Sequence, residues 1–260
     1  MDTRHALVRP PSSRMGEGLV THIERSDDVD YGLAVRQWQA YVDALHAAGW
    51  TTTEVEAADE LPDSVFVEDA MVVYGDLAVI ARPGADERRA ETEAAEVAVR
   101  ARGYRIAHIE APGTLDGGDV LKHDGRVWVG LGGRTNEAGV EQLRAHLAPL
   151  GADVIGVPVR KVLHLKSAVT ALPDGTVVGH GPLVDDPDVW AGHFLDVPEE
   201  SGAHVVVLDA GTVLMASSAP ASAALFRERG LDVVTVDISE FEKMEGCVTC
   251  LSVRLRGVPR

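Results

Sequence analysis

The chain has 260 residues, of which 45% are hydrophobic, so it is long enough to bury a full core. Its 24 Lys and Arg against 41 Asp and Glu give a formal charge of −17. This charge argues against nucleic acid and anionic membranes as partners, because both are bound through basic patches. The beginning of the chain lacks the apolar core of a signal peptide, and no apolar run approaches the length of a membrane span. Together with only two cysteines, these features predict a cytoplasmic protein.

The apolar pattern predicts a unit that recurs along the chain. Each copy reads strand, tight turn, strand, helix, strand, and the turns carry the Gly or Asp-Gly that two-strand reversals require. Gly75, Gly125 and Gly175 mark three of these turns at equal intervals, which indicates a repeat architecture. The first copy has predicted strands at 71–73, 77–81 and 104–109 and a helix at 86–102, and the second has strands at 119–121, 126–130 and 153–157 and a helix before Gly151. The third has strands at 167–171, 176–179 and 193–197 and a helical segment at 186–191. The fourth has strands at 205–208, 212–216 and 232–236 and a helix at 220–229.

A fifth copy can be assembled from the two ends of the chain. The C-terminal run 247–255 would supply its first strand, and the N-terminal region a strand at 6–9, a helix that ends near Gly49 and a strand at 51–55. Such a split copy would close a ring of five units, which removes exposed sheet edges. We therefore expect one α/β domain over residues 1–260, with the first strands of the copies converging on a central site. The loop at 10–18, with two glycines, is interpreted either as a surface connector or as a lid over that site.

Polar residues occupy matching places in the copies. The first copy has Asp63, Glu68 and Asp69, the second Asp116, the third His164, and the fifth Cys250. Each alone has an ordinary explanation, such as a turn residue, an Asx turn or a small core side chain. Together they predict a functional site, because carboxylates at the centre of a ring are costly to bury unless a cation pairs with them.

The pair Cys247 and Cys250 also matches the C-x-x-C pattern. Redox pairs of this form sit at the start of a helix, whereas the flanking pattern here is typical of a strand, in which residues three apart point to opposite faces. We therefore do not expect a redox pair. A structural metal site is not indicated either, although an inhibitory zinc held with help from His164 or Glu68 is left open.

Six blocks of sequence closely resemble the dimethylarginine dimethylaminohydrolase family, which belongs to the guanidine-modifying superfamily with the pentein α/β-propeller fold. The resemblance runs in the expected order over nearly the whole chain, and it implies five ββαβ-type units around a central active site. The blocks are Leu-Pro-Asp-Ser-Val-Phe-Val-Glu-Asp (61–69), Ala-Arg-Pro-Gly-Ala (81–85), Thr-Leu-Asp-Gly-Gly-Asp-Val-Leu (114–121), Gly-Arg-Thr-Asn (133–136), Leu-His-Leu-Lys-Ser (163–167) and Glu-Phe-Glu-Lys-Met-Glu-Gly-Cys-Val-Thr-Cys (240–250).

The resemblance implies a role for each matching residue. Cys250 would be the nucleophile, His164 the general acid and base, and Asp116 the carboxylate paired with it, while Cys247 falls where the family usually has an aliphatic residue. The substrate-binding residues would be Asp69 with Glu68 for the guanidinium, Asp63 and the Leu19 carbonyl for the α-amine, Arg88 and Arg134 for the α-carboxylate, Phe66 near the N-methyl groups, and Glu245, which stands where Asp is commoner.

The implied reaction is hydrolysis of Nω-methylated arginine to citrulline through a covalent S-alkylthiouronium on Cys250, with no cofactor and no metal. Arginine deiminase is an alternative, but those proteins are longer and carry an acid where this chain has Lys166. An agmatine deiminase, an amidinotransferase and a non-catalytic arginine-binding propeller are further alternatives. The preference among arginine and its methylated forms depends on pocket volume, which the sequence does not give, and a homodimer is left open.

Overall fold

The computed structural model describes residues 4–26, 28–190 and 192–255. Within these residues the chain forms five three-stranded sheets arranged in a ring. In each sheet the first two strands are antiparallel and the third is parallel to the second. The predicted repeat is therefore confirmed.

The strands are β1 (His5–Val8), β2 (Thr51–Glu54), β3 (Met71–Tyr74), β4 (Leu77–Ile80), β5 (Arg105–His108), β6 (Val120–His123), β7 (Arg126–Leu131), β8 (Asp153–Pro158), β9 (Val169–Ala171), β10 (Val177–Gly179), β11 (Phe194–Asp196), β12 (Val205–Val207), β13 (Thr212–Ala216), β14 (Asp232–Val236) and β15 (Val253–Leu255). The α-helices are α1 (Tyr31–Ala47), α2 (Glu91–Ala101), α3 (Glu137–Leu147), α4 (Leu165–Ala168), α5 (Pro220–Glu228) and α6 (Ser239–Glu242). Among the described helices, none combines the length and the apolar character that a membrane crossing requires.

The fifth sheet joins the two ends of the chain. Strand β15 pairs antiparallel with β1, with Leu255 opposite His5, and β1 pairs parallel with β2. This is the split copy predicted from the sequence. Because β15 follows the segment that carries Cys250, closing this sheet also brings Cys250 to the centre of the ring.

Helices fill the spaces between neighbouring sheets. Asp30 caps the start of helix α1, because its side chain accepts a hydrogen bond from the Leu33 amide. The helix buries Trp38, Tyr41 and Leu45. That face packs against residues of β1 and of the β12-β13-β14 sheet in one hydrophobic cluster. Four further clusters likewise each combine residues of two adjacent sheets. Burial of apolar side chains between units therefore holds the ring together.

Four predicted segments differ from the structure. The predicted helix 86–102 is divided into a 3-10 turn, Asp86–Arg88, and α2, because the buried Arg88 side chain turns inward to pair with Asp69 and Glu91. In place of the first residues of the predicted strand 167–171 there is the short helix α4. The helical piece at 186–191 is a 3-10 turn, Pro187–Trp190, and residue 191 lies outside the described residues.

The predicted strand 247–255 is the largest difference. Only Val253–Leu255 is a strand, and the residues before it form a turn in which the Cys250 amide donates to the Cys247 carbonyl over 3.0 Å. Alternating apolar residues suggested an extended chain, but a buried turn presents the same residue types to the core.

Candidate active site

A small cavity of about 20 Å³ lies where the first strands of the units begin. The residues that line it include nearly every side chain expected at the site, with only Asp116 and Glu68 missing from its wall. The lining residues are Leu19, Asp63, Phe66, Asp69, Arg88, Arg134, Leu163, His164, Met244, Glu245, Gly246 and Cys250.

Four of the polar residues expected at the site, each from a different unit, occupy equivalent places. Asp69 lies in the 3-10 turn Val67–Ala70 that precedes β3, and Asp116 directly precedes the 3-10 turn Gly117–Asp119 that leads into β6. His164 precedes α4 and β9, and Cys250 lies in the turn before β15. The ring thus brings together residues that are far apart in sequence.

His164 is buried between carboxylates. Its Nε2 lies 3.0 Å from Asp116 Oδ2, and its Nδ1 lies 3.8 Å from Asp69 Oδ1. Burial disfavours the imidazolium, but the charge of Asp69, the hydrogen bond to Asp116 and the charge of Asp119 outweigh burial and raise the pKa of His164 to about 9. The ring is therefore protonated at neutral pH and can act as a general acid.

Asp69 is held as a carboxylate. Its Oδ1 accepts a hydrogen bond from the Gly118 amide at 2.8 Å, and its Oδ2 accepts one from Arg88 at 2.6 Å. Burial alone would raise the pKa of Asp69, but His164 and Arg88 lower it to about 2. A negative charge fixed in the cavity wall suits a cationic ligand.

Gly118 allows Asp69 and His164 to face each other. A Cβ on this residue would lie 2.5 Å from His164 Nδ1 and 2.6 Å from Asp69 Oδ1. Such distances are well inside van der Waals contact, so a side chain here would force the imidazole or the carboxylate to move. Glycine is required because the backbone approaches both groups closely.

Asp116 and Asp119 support the imidazole from behind. Asp116 is fully buried, and its Oδ1 accepts a hydrogen bond from the Gly84 amide at 2.9 Å. Asp119 accepts bonds from the Leu165 amide and from Thr135, and burial raises the pKa of Asp119 to about 6. These contacts tie the second unit to the residue after His164 and so orient the ring.

The two arginines differ in how their donors are used. Arg88 donates to Asp69, to both carboxylate oxygens of Glu91 and to two backbone carbonyls, so its guanidinium is already engaged by protein groups. Arg134 lines the same cavity, but one of its terminal nitrogens is buried without a hydrogen bond and lies 3.8 Å from Asp116 Oδ2. A buried donor without a partner is costly. Arg134 is therefore the arginine with a buried donor that no described residue satisfies by a hydrogen bond.

Asp63 closes the cavity on the side of the N-terminal loop. Both of its carboxylate oxygens lie within 3.2 Å of the Leu19 amide nitrogen. Burial raises the pKa of Asp63, although the charge of Arg88 and the bond from Leu19 oppose this effect. The expected partner residues Asp63 and Leu19 are thus in direct contact.

Glu245 fastens the N-terminal loop to the cavity rim. It has a φ of 61°, which is unusual for a residue other than glycine. Its Oε1 accepts hydrogen bonds from the backbone amides of Thr21, His22 and Ile23. Glu245 was expected to contact the substrate, and in the structure its side chain binds the N-terminal loop.

Glu68 does not line this cavity. Its Oε1 lies 2.5 Å from Lys166 Nζ and 2.9 Å from Arg254, and all three residues line a larger cavity of about 590 Å³. Both cations engage the same oxygen, and Oε2 is buried without a hydrogen bond among the described residues. Glu68 therefore lies beside the larger cavity and not in the wall of the small one, where a substrate-binding role was expected.

Cys247 and Cys250 face each other, contrary to the prediction that they point to opposite faces. Their sulfurs are 3.4 Å apart, and both residues are buried free thiols. The hydrogen bond between the sulfurs lowers the pKa of Cys247 to about 5 and raises that of Cys250 well above its usual range. The two shifts have opposite directions, so in the singly ionised pair the thiolate lies on Cys247 and the remaining proton on Cys250.

Several residues of the site were not singled out from the sequence. Glu91 is buried and neutralises Arg88, and its position three residues later on the same helical stretch was the available signal. Leu163, Met244 and Gly246 line the cavity but carry no chemical signature.

One group of described residues has a geometry that could hold a metal ion. Ligand atoms of Asp69, Asp116 and His164 lie within 4.8 Å of one another. The raised pKa of His164 opposes such binding at neutral pH, because a protonated ring offers no lone pair to a metal.

The fold of five sheets around this cavity defines an α/β-propeller of the pentein class. Residues 42–190 match the family model described as "Arginine deiminase". The chain is 62% identical to an N(G),N(G)-dimethylarginine dimethylaminohydrolase of Streptomyces coelicolor over 98% of each chain. It is 34% identical to the enzyme of the same name from Pseudomonas aeruginosa, over 96% of this chain and 99% of the relative.

Solved structures agree with this assignment. A mutant of the Pseudomonas aeruginosa enzyme, solved in complex with citrulline, superposes with a TM-score of 0.91 at 32% identity and covers 98% of this chain and all of the other. The protein described here belongs to the dimethylarginine dimethylaminohydrolase family.

Proposed function

We propose that this protein hydrolyses Nω-methylated arginine, asymmetric dimethylarginine or monomethylarginine, to citrulline and dimethylamine or methylamine. The observation that carries the proposal is the shared cavity of Cys250, His164 and Asp69 in a chain of this family. A thiol, a protonated imidazole and a fixed carboxylate are the groups that attack on a guanidinium carbon requires.

The substrate cation binds to the acidic wall. Asp69 accepts hydrogen bonds from the guanidinium N–H groups, which fixes the plane of the group and favours its charged form. Asp116 lies directly behind His164 and adds negative charge on the same side. Phe66 lines the cavity and provides the apolar contact for the N-methyl groups.

The amino-acid end of the substrate binds to other residues of the cavity wall. Arg134 receives the α-carboxylate, because its buried nitrogen has no hydrogen bond to any residue that the structure describes. Asp63 and the carbonyl of Leu19 receive the α-amine. Arg88 holds Asp69 in place, since its donors are already bound to Asp69, Glu91 and backbone carbonyls.

The reaction proceeds in two steps. Substrate binding brings a cation next to Cys250, which favours the thiolate on that sulfur over Cys247. Cys250 attacks the guanidinium carbon, and His164 protonates the departing amine. The neutral His164 then takes a proton from water, which attacks the S-alkylthiouronium and releases citrulline. Two easier steps replace one difficult hydrolysis.

The protein acts on a small molecule, and we propose the cytoplasm as its location because both described cysteines are free thiols. The function is tested by measuring citrulline from arginine, monomethylarginine and asymmetric dimethylarginine side by side. We expect citrulline from the methylated substrates with the wild type and none with Cys250→Ser. Binding of dimethylarginine by calorimetry without citrulline release would instead indicate a binding protein, and faster turnover of arginine would indicate a deiminase.

A further inference from the structure

The turn at residues 247–250 places two thiols side by side at the candidate active site. The backbone bond from the Cys250 amide to the Cys247 carbonyl is 3.0 Å long, which closes a four-residue turn. In such a turn the first and last Cα atoms lie less than about 7 Å apart, close to the separation that a disulfide spans. The sulfurs are already 3.4 Å apart. A disulfide therefore needs rotation of side chains and only a small shift of the backbone.

Only one of the two thiols lines the cavity. Both residues belong to the hydrophobic cluster that contains α1, but Cys250 also forms part of the cavity wall and Cys247 does not. The Cys247 sulfur also lies 3.2 Å from Thr249 Oγ1. A small oxidant that enters the cavity meets Cys250 first, and Cys247 is the thiol directly behind it.

We propose that Cys247 is a resolving cysteine, which captures Cys250 in a disulfide after Cys250 has been oxidised by a hydroperoxide. The paired thiols are thus a modification site in addition to the proposed catalytic role of Cys250. The inference depends on the proposed function only for the accompanying loss of activity, because the thiol chemistry can be measured separately.

Formation of the disulfide requires only the two thiols and one hydroperoxide. The proton that the two sulfurs share moves from Cys250 to Cys247, and the Cys250 thiolate attacks the O–O bond and takes one oxygen, giving a sulfenic acid and an alkoxide, or hydroxide from hydrogen peroxide. The alkoxide takes the proton of Cys247 and leaves as the alcohol. The Cys247 thiolate then attacks the sulfur of Cys250, so that the S–S bond forms as the S–O bond breaks and hydroxide leaves. The two sulfurs together lose two electrons, and the peroxide gains them.

Two properties of the site favour the second step over further oxidation. The attacking sulfur is in contact with its target, so the reaction is intramolecular. The alkoxide of the first step has also already taken the proton of Cys247, so this sulfur attacks as a thiolate. A disulfide formed here would be reduced by a dithiol, whereas a sulfinic acid on Cys250 would not.

The test oxidises the full-length protein with hydrogen peroxide, blocks free thiols with N-ethylmaleimide and maps the tryptic peptide that follows Lys243 and ends at Arg254. This single peptide contains both cysteines. We expect the oxidised wild-type peptide to lose two hydrogens and to carry no N-ethylmaleimide. Citrulline production should be lost with peroxide and largely recovered with dithiothreitol.

The matched control is Cys247→Ser, which keeps a hydroxyl at the same place but cannot resolve the sulfenic acid. Its peptide should gain two or three oxygens on Cys250, and dithiothreitol should restore little of its activity. Fragment ions separate oxygen on Cys250 from oxygen on Met244, which lies in the same peptide. The inference is overturned if Cys250 of the wild-type peptide gains oxygen and no disulfide forms, or if Cys247→Ser recovers as fully as the wild type. The wild-type peptide decides the question even if the variant does not fold, and it does so whether or not methylarginine is the substrate.

Discussion

Asp69 Oδ1 lies 3.8 Å from His164 Nδ1, and the Gly118 amide holds that oxygen in place. The two side chains belong to different units of the ring, so their electrostatic interaction depends on the assembled fold. Asp69 is the largest of the influences that raise the pKa of His164 to about 9 against the effect of burial.

Replacing Asp69 with Asn should lower the pKa of His164. The folded protein raises this pKa above its ordinary value of 6.5. The charged ring therefore contributes stability that is fully present below pH 6.5 and is lost as the pH rises through about 9. Removing the Asp69 charge moves that loss to lower pH.

NMR titration of the His164 ring protons measures the shift in the pKa of His164. Asp76→Asn, in the turn between β3 and β4, is the control and should leave the titration unchanged; an unchanged His164 pKa in Asp69→Asn would contradict the interpretation.

The two cysteines should differ in turnover. Cys250→Ser should abolish citrulline production because serine at this position has no thiolate to attack with. Cys247→Ser should retain most of the turnover, since Cys247 does not line the cavity. Steady-state rates with dimethylarginine measure both. Equal losses from the two substitutions would rule out Cys250 as the sole nucleophile.

The two arginines should differ in what they affect. Arg134→Ala should weaken substrates that have an α-carboxylate by about 2–5 kcal/mol, while the decarboxylated analogue should be affected far less. Arg88→Ala should reduce the free energy of unfolding by about 3–5 kcal/mol, because it leaves Asp69 and Glu91 buried without their cation. Values of kcat/KM for the two substrates and urea unfolding separate these effects. A carboxylate preference that survives in Arg134→Ala would contradict the assignment.

Gly118→Ala should reduce activity strongly, because its Cβ would lie 2.5 Å from His164 Nδ1. We expect a fall in kcat together with a changed pKa of His164, since the new methyl group separates the ring from Asp69. Gly133→Ala is the matched control, as a Cβ there meets no atom within 4 Å. Similar activity in the two variants would show that the close approach at Gly118 is not needed.

Glu245→Gln should loosen the N-terminal loop. The neutral amide is a weaker acceptor for the three backbone amides of residues 21–23, so the loop should open more often. We expect a higher KM for dimethylarginine and faster proteolysis after Arg25. Glu24→Gln removes the same charge from an exposed position in this loop and should leave both quantities unchanged. If the two variants behave alike, Glu245 does not hold the loop.

The repeat could be predicted because its turns depend on local chemistry. Gly75, Gly125 and Gly175 all have positive φ, with values of 56°, 78° and 86°, so their spacing in the sequence reports a backbone requirement. The resemblance to a known family then indicated which polar residues to compare across the units.

Other features depend on contacts between distant segments and left no local signal. Glu68 lies next to Asp69 in sequence but pairs with Lys166 and Arg254 on the side of the larger cavity. The turn at residues 247–250 was predicted to be part of a strand because most of its residues are small and apolar. Only the structure shows that the two sulfurs lie 3.4 Å apart. The contacts of Glu245 with residues 21–23 likewise join opposite ends of the chain.

Because β15 pairs with β1, the order of the units around the ring does not depend on the point at which the polypeptide begins. Leu255 and His5 lie opposite each other in the same antiparallel register that a short turn bridges in the other four units. A loop joining these two strands, with new ends opened at the exposed turn near Gly211, would produce a circular permutant with the same neighbours around the ring. The geometry of the cavity is thus a property of how the five sheets pack, and any of the inter-strand turns is a candidate place for the polypeptide to start.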